Sequence, residues 1–103
     1  MKVLVTGANG FLGRHMVRGL SAVHSVLPVA RRNLVGDAAC ATSDYTVDGL
    51  VSLMHGVEAV VHLAASRPVG DATASCQLNV QLDQRVFEAA ERAGVPHVVF
   101  ASS

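Results

Sequence analysis

The chain has 103 residues, half of them hydrophobic, with 8 basic and 8 acidic side chains and a formal net charge of zero. That is enough for one small domain with its own core, and it lacks the basic excess of a nucleic-acid-binding surface. Two cysteines, Cys40 and Cys76, are too few and too far apart for a disulfide framework or a metal pair, and no apolar run reaches membrane-spanning length.

Taken in order, Lys2 to Thr6 is apolar, β-branched and bounded by glycine, and predicts a fully buried strand. This run passes straight into glycines, unlike a secretory leader, so a soluble cytoplasmic chain with reduced thiols is expected. Gly7, Gly10 and Gly13 follow at even three-residue spacing, where a strand hands over to a helix. Gly7 suits a tight turn, Gly10 lets a diphosphate approach the main chain, and Gly13 lets the helix pack tightly on the strand. The free N–H groups at the helix start then face an anion. A glycine-rich turn without a ligand is the plain alternative, and the strand-to-helix context weighs against it.

Phe11 to about Ala22 predicts a helix with Leu12, Met16, Val17 and Leu20 on one face and Arg14 and Arg18 on the other. Gly19 inside it costs about 1 kcal/mol relative to alanine and is read as a mark of close packing on the sheet. Ser25 to Ala30 predicts a second strand, in which Pro28 removes a ladder donor. Residues 31 to 38 form a polar loop, and Ala39 to Thr42 a short third strand.

Tyr45 to His55 predicts a short helix carrying Val47, Leu50, Val51 and Met54, stopped by Gly56. Glu58 to Ala64 is a strong strand, and residues 65 to 72 form a loop. Asp71 to Ala93 is a long helix with Leu78, Leu82, Val86, Ala89 and Ala93 on one face, ended by Gly94 and Pro96. His97 to Ala101 is the fifth strand. Alternating strands and helices predict an α/β fold, a doubly wound parallel sheet of about five strands, with a ligand at the strands' carboxyl ends.

Thr6-Gly7-Ala8-Asn9-Gly10-Phe11-Leu12-Gly13 resembles the cofactor fingerprint of the extended short-chain dehydrogenase/reductase superfamily, the NAD-dependent epimerase/dehydratase family. Val60-Val61-His62-Leu63-Ala64-Ala65, Asn79-Val80, the run from Ala93 to Phe100 and Ala101-Ser102-Ser103 resemble further landmarks of that family, in register along the whole chain. The resemblance implies a Rossmann-type NAD(P)-binding domain over residues 1–103. It implies that Gly7, Gly10 and Gly13 hold the diphosphate, with the backbone of Asn9, Phe11 and Leu12 close by. Asp44 and Tyr45 match the pair that contacts adenine, and a carboxylate suits the exocyclic amine. Leu63, Ala64 and Ala65 line the nicotinamide ribose, Arg67 lies near the ribose or phosphates, and Asn79 ties its helix to the fourth strand near the cofactor. Taken singly, Asp44 also reads as a helix N-cap, Arg67 as an exposed loop cation, Asn79 as solvent-facing and His62 as a packed core histidine. His15, His24, His55 and His97 show no metal spacing and read as structural or surface residues.

At the end of the second strand, NAD-preferring Rossmann domains place an acid for the adenine ribose. Here Ala30 holds that position and Arg31-Arg32 follow. Guanidinium groups pair well with a 2′-phosphate, so NADP(H) is expected over NAD(H), against the alternative of a solvated arginine pair.

By the resemblance, catalysis needs a serine, matched by Ser103, and a Tyr-x-x-x-Lys pair. The chain holds one tyrosine, Tyr45, and one lysine, Lys2, which do not form it. The expectation is therefore the N-terminal part of a longer enzyme, an epimerase, dehydratase or reductase acting by hydride transfer on a nucleotide sugar or small carbonyl compound, inactive as this portion. A non-catalytic NADP(H)-binding sensor or interaction module and a scaffold that binds no dinucleotide are the alternatives. The expected partner is the dinucleotide, with no nucleic acid and no membrane. Homodimerisation or self-association through an exposed fifth-strand edge is expected too, and residues 82 to 93 are a candidate for one helix of a dimer interface.

Overall fold

The computed structural model describes residues 1–8, 10–30, 41–63 and 72–100; for Phe11 and for 72–79 it describes the backbone alone. The elements in chain order are β1 (Lys2–Thr6), α1 (Phe11–Ser21), β2 (Ser25–Ala30), β3 (Ala41–Thr42), α2 (Val47–Leu53), β4 (Ala59–His62), α3 (Ala72–Ala93) and β5 (His97–Phe100). The strands form one sheet in the order β3-β2-β1-β4-β5, and every pairing is parallel. The α/β, doubly wound architecture expected from the sequence is the one found.

The two faces follow from the period of two along β1. Val3 and Val5 join Val61 of β4 under Met16, Val17 and Leu20 of α1. Leu4, between them, points the other way, into the larger cluster with Val29, Val60, Leu50 and Met54 on α2 and its C-cap, and Leu82, Val86, Ala89 and Ala90 on α3. With both faces covered, the central strands carry an apolar run, Val3 to Val5 in β1 and Ala59 to Val61 in β4, as a parallel sheet requires, and each ends in a buried polar residue, Thr6 and His62.

Pro28 is accommodated by register. Val29 turns its carbonyl toward the β1 side, where it accepts the Ala8 N–H at 3.1 Å, and Ala30 turns its carbonyl toward Ser43, 3.0 Å away. Because these directions alternate, Pro28 faces the β3 side, so its missing N–H leaves the β1 pairing of β2 intact.

Helix ends follow local chemistry. Gly94, at φ 74°, closes α3. Its N–H donates to the Glu91 carbonyl at 3.2 Å, and the Val95 N–H donates to Ala90 at 2.9 Å, the paired bonds of a Schellman motif. The second helix starts later than its apolar spacing suggests. Tyr45 has φ 61°, which no residue inside a right-handed helix adopts. Thr46 is the N-cap, accepting from the Gly49 N–H at 3.3 Å.

Two expectations for α1 are corrected. Leu12 lies outside the apolar cluster and is 51 % exposed on the first turn. Gly19 does not pack against the sheet: it is exposed, and a Cβ placed on it meets no atom within 4 Å. The helix is anchored at Gly13 instead. Among the described residues, no helix is long and apolar enough to cross a membrane.

Candidate functional site

The chain runs outward from β1 through β2 to β3, then crosses back to place β4 on the other side of β1. In open α/β sheets, that reversal leaves a crevice beyond the carboxyl ends of the two central strands. The turn after β1 lies at that crevice. Gly7 adopts φ 70°, and its carbonyl accepts the Gly10 N–H at 3.0 Å. Gly10 is the N-cap of α1 and offers no side chain to bond the first N–H groups, and the first turn carries no acid. The helix start therefore combines donors and a favourable dipole end with a first turn free of acids.

The three glycines differ in how tightly they are required. A Cβ on Gly10 stands 3.3 Å from the Gly7 oxygen, so that backbone atom must give by a few tenths of an ångström. A Cβ on Gly13 overlaps the Gly7 oxygen outright and stands 2.9 Å from both the Gly7 carbonyl carbon and the Ala8 Cα. All of these are backbone atoms, so α1 lies against the turn as closely as a helix without a side chain can. This fits a role for Gly13 in close helix–strand packing.

A buried polar chain joins β1, β4 and α3 at the same crevice. Thr6 and His62 are register partners across β1 and β4 and are 0 % and 3 % exposed. The Thr6 Oγ1 accepts the Leu63 N–H at 3.0 Å and lies 2.7 Å from His62 Nδ1. His62 Nε2 lies 2.7 Å from the Asp83 carboxylate. A neutral imidazole protonated at Nε2 satisfies every contact: it donates to Asp83 and accepts the threonine hydroxyl. Burial pushes the His62 pKa below the usual imidazole value, and Asp83 only partly offsets this. The Phe100 ring stands edge-on to His62, with centroids 5.4 Å apart. His62 is thus a packed, hydrogen-bonded histidine. Thr6 and Asp83 were missed as members of this chain, since no local spacing links positions 6, 62 and 83 before the strands pair.

Asp44 and Tyr45 behave in opposite ways. Asp44 is exposed, and its Oδ1 accepts from the Thr46 N–H at 3.1 Å and from the Thr46 hydroxyl at 3.0 Å. These bonds lower its pKa. The helix N-cap is Thr46, so the N-cap alternative for Asp44 is corrected: Asp44 braces the cap. Tyr45 is 1 % exposed and belongs to the larger core cluster. Its hydroxyl accepts the Gly7 N–H at 3.3 Å and donates to the Val29 carbonyl at 3.5 Å, while its own N–H donates to Ser43 Oγ at 3.0 Å. The phenol therefore reaches the glycine turn from within the core.

Of the other site residues, Leu63 directly follows β4 beside Thr6, Leu12 is exposed at the helix start, and the backbone of Phe11 opens α1. Asn79 lies within α3, its side chain outside the described residues, as are Asn9, Arg31, Arg32, Ala64, Ala65, Arg67 and Ser103.

A parallel sheet in the order 3-2-1-4-5, with a left-handed glycine turn and an open helix start at its switch point, defines the Rossmann class of fold. The comparisons narrow this class to a family. The model of the NAD dependent epimerase/dehydratase family matches residues 3–103, and the chain belongs to that family.

Its relatives include both a dehydrogenase and epimerases. The chain is 35 % identical over 104 residues to an L-arabinose 1-dehydrogenase (NAD(P)(+)) from Haloferax volcanii, covering 99 % of the chain and 41 % of the relative. It is 30 % identical over 124 residues to a UDP-glucose 4-epimerase from Klebsiella pneumoniae, covering 100 % of the chain and 89 % of that sequence. Among solved structures, it superposes on the UDP-N-acetylglucosamine 4-epimerase of Bacillus cereus with a TM-score of 0.89 at 32 % identity, covering 100 % of the chain and 38 % of the epimerase. A short-chain dehydrogenase/reductase superfamily protein from Agrobacterium tumefaciens with bound NAD gives 0.83 at 32 % identity, covering 100 % of the chain and 33 % of that protein.

Proposed function

We propose that this chain is the NAD(P)-binding portion of an epimerase, dehydratase or reductase that works by hydride transfer on a sugar, as a nucleotide sugar or a small carbonyl compound. The observation that carries this reading is the turn between β1 and α1. Gly7 is left-handed, the helix start has no side-chain cap, and Gly13 leaves no room for a Cβ. This geometry suits a diphosphate received by backbone N–H groups.

In this reading Gly7, Gly10 and Gly13, with the backbone of Asn9, Phe11 and Leu12, cradle the diphosphate. Asp44 accepts from the adenine amine through the carboxylate face that Thr46 leaves open. Leu63, Ala64 and Ala65 line the nicotinamide ribose, with Arg67 and Asn79 nearby. Arg31 and Arg32 favour NADP(H) over NAD(H) through a 2′-phosphate. Ser103 supplies the substrate-orienting serine of a partial catalytic site. When bound, the nicotinamide supplies the hydride donor or acceptor. The chain contains no Tyr-x-x-x-Lys pair, so we expect cofactor binding without turnover from these 103 residues.

Titration with NADPH, NADH and FAD, read by calorimetry, tests the reading. Saturable binding of a nicotinamide dinucleotide supports it, and absence of binding to all three overturns it.

Among the described residues β5 is an edge strand of the sheet, with Val99 55 % and Phe87 50 % exposed beside it. An unpaired edge with apolar side chains favours pairing with a second copy. Light scattering of the isolated chain should show a mass that rises with concentration; a monomer at all concentrations refutes this.

A further inference from the structure

Tyr45 combines features that the cofactor reading leaves unused. Among the described residues it is the non-glycine residue held at positive φ, at 61°, a region that bulky side chains rarely occupy. That turn directs successive side chains to opposite sides: Asp44 stays exposed while the phenol is fully buried. The phenol then crosses under the sheet's carboxyl end to the glycine turn. Its hydroxyl accepts the Gly7 N–H at 3.3 Å and donates a hydrogen bond to the Val29 carbonyl at 3.5 Å. The same carbonyl receives the Ala8 N–H at 3.1 Å.

Gly7 is therefore held on both sides of its residue. Its N–H is fixed by Tyr45 from below. Its C=O is fixed by the Gly10 N–H and by the close approach of Gly13. A left-handed glycine is the residue with most freedom to rotate away, and a buried phenol is a rigid, fixed-length strut against that rotation.

Resting on the cofactor reading above, we infer that Tyr45 is a positioning residue for the diphosphate cradle: its hydroxyl sets the orientation of the Gly7 peptide and couples the glycine turn to the Asp44 segment. It acts through Gly7 and touches no ligand. This departs from the expectation that Tyr45 contacts adenine. It also places the two ends of the adenosine diphosphate site on one dipeptide, with Asp44 facing out toward the base and Tyr45 facing in toward the turn.

The test compares the full 103-residue chain with its Tyr45→Phe variant, which keeps the ring in the core and removes the hydroxyl. NMR titrations with NADH, ADP and adenosine separate the sites, because adenosine carries the base without the diphosphate. The expected result is a loss of roughly five- to tenfold in NADH and ADP affinity, the scale of one neutral hydrogen bond, with adenosine unchanged. In the unliganded wild-type chain, the Gly7 amide should exchange slowly with solvent and do so faster in the variant.

Wild-type binding with NADH and ADP affinities in the variant within about twofold overturns the inference alone. An equal fall for adenosine overturns it too, by placing the phenol at the base. No binding by the wild-type chain overturns the proposed function and this inference with it. If the variant fails to fold, the wild-type Gly7 amide decides: exchange at the rate of an open backbone amide removes the strut.

Discussion

Two glycines on α1 give opposite expectations for the same substitution, and that contrast tests the packing of the helix on the turn. Gly13→Ala and Gly19→Ala each gain about 1 kcal/mol of helix propensity. At Gly19 nothing opposes the gain, since the new methyl meets no atom within 4 Å. That variant should be stabilised by about 1 kcal/mol, raising the melting temperature by about 4–8 °C for a domain of this size.

At Gly13 the methyl runs into the Gly7 carbonyl and the Ala8 Cα, neither the end of a flexible side chain. Relief requires α1 to withdraw by on the order of 1 Å, which forfeits up to about half of the dispersion energy where Met16, Val17 and Leu20 meet Val3, Val5 and Val61. Overpacking of this kind costs about 3–4 kcal/mol, at or beyond the upper end of the usual range. Less the propensity gain, the net loss is about 2–3 kcal/mol, or a melting temperature lower by about 10–20 °C. Circular dichroism melts of the two variants and the parent chain measure it. A Gly13→Ala variant melting within a few degrees of the parent would refute the close packing at the turn. A destabilised Gly19→Ala would refute its exposed placement.

Other expectations concern the polar chain and the cofactor. Thr6→Val keeps the side-chain shape but strands both the Leu63 N–H and His62 Nδ1 in a buried site; at about 1–2 kcal/mol each it should destabilise by about 2–4 kcal/mol, and denaturant unfolding showing less than half of that would argue against the network. Asp83→Ala should cost only about 1 kcal/mol, because Asp83 is half-exposed and water can replace it. His62 also sets a pH dependence. Its folded pKa is depressed, so on acidification the unfolded chain protonates first. The stability it contributes is complete above the unfolded value of about 6.5, and falls as pH drops from there to the folded pKa. Melts from pH 8 to pH 5 should show this slope, and His62→Gln should flatten it; an unchanged slope counts against the assignment. Replacing Arg31 and Arg32 by alanine should weaken NADPH binding far more than NADH binding, and equal losses by calorimetry would remove the 2′-phosphate role.

The elements themselves were legible because their causes are local. The apolar run from Val3 to Val5, the glycine triplet, and the glycines at 56 and 94 act through the backbone of their own segment. The alternation of strand and helix then leaves a parallel sheet as the arrangement that covers both faces. The family, too, was readable along the chain, since its landmarks are short contiguous runs in register.

What the tertiary structure decided depends on residues far apart in sequence. Leu12 and Met16 share a helical spacing, yet only the second meets the sheet, because Gly13 fixes how the helix enters. Gly19 and Gly13 are the same residue type on one helix, and the backbone of the Gly7-Ala8 turn packed against Gly13 distinguishes them. Thr6, His62 and Asp83 become one hydrogen-bonded chain only after β4 returns beside β1 and α3 folds over it. Tyr45, next to Asp44 in sequence, turns inward because a left-handed backbone angle and a hydrogen-bond partner 38 positions away outweigh its place in the motif. Backbone conformation and periodicity are properties of a segment and can be read from it. Steric fit and the pairing of buried polar atoms are properties of a neighbour, and exist only once the chain has brought that neighbour into contact.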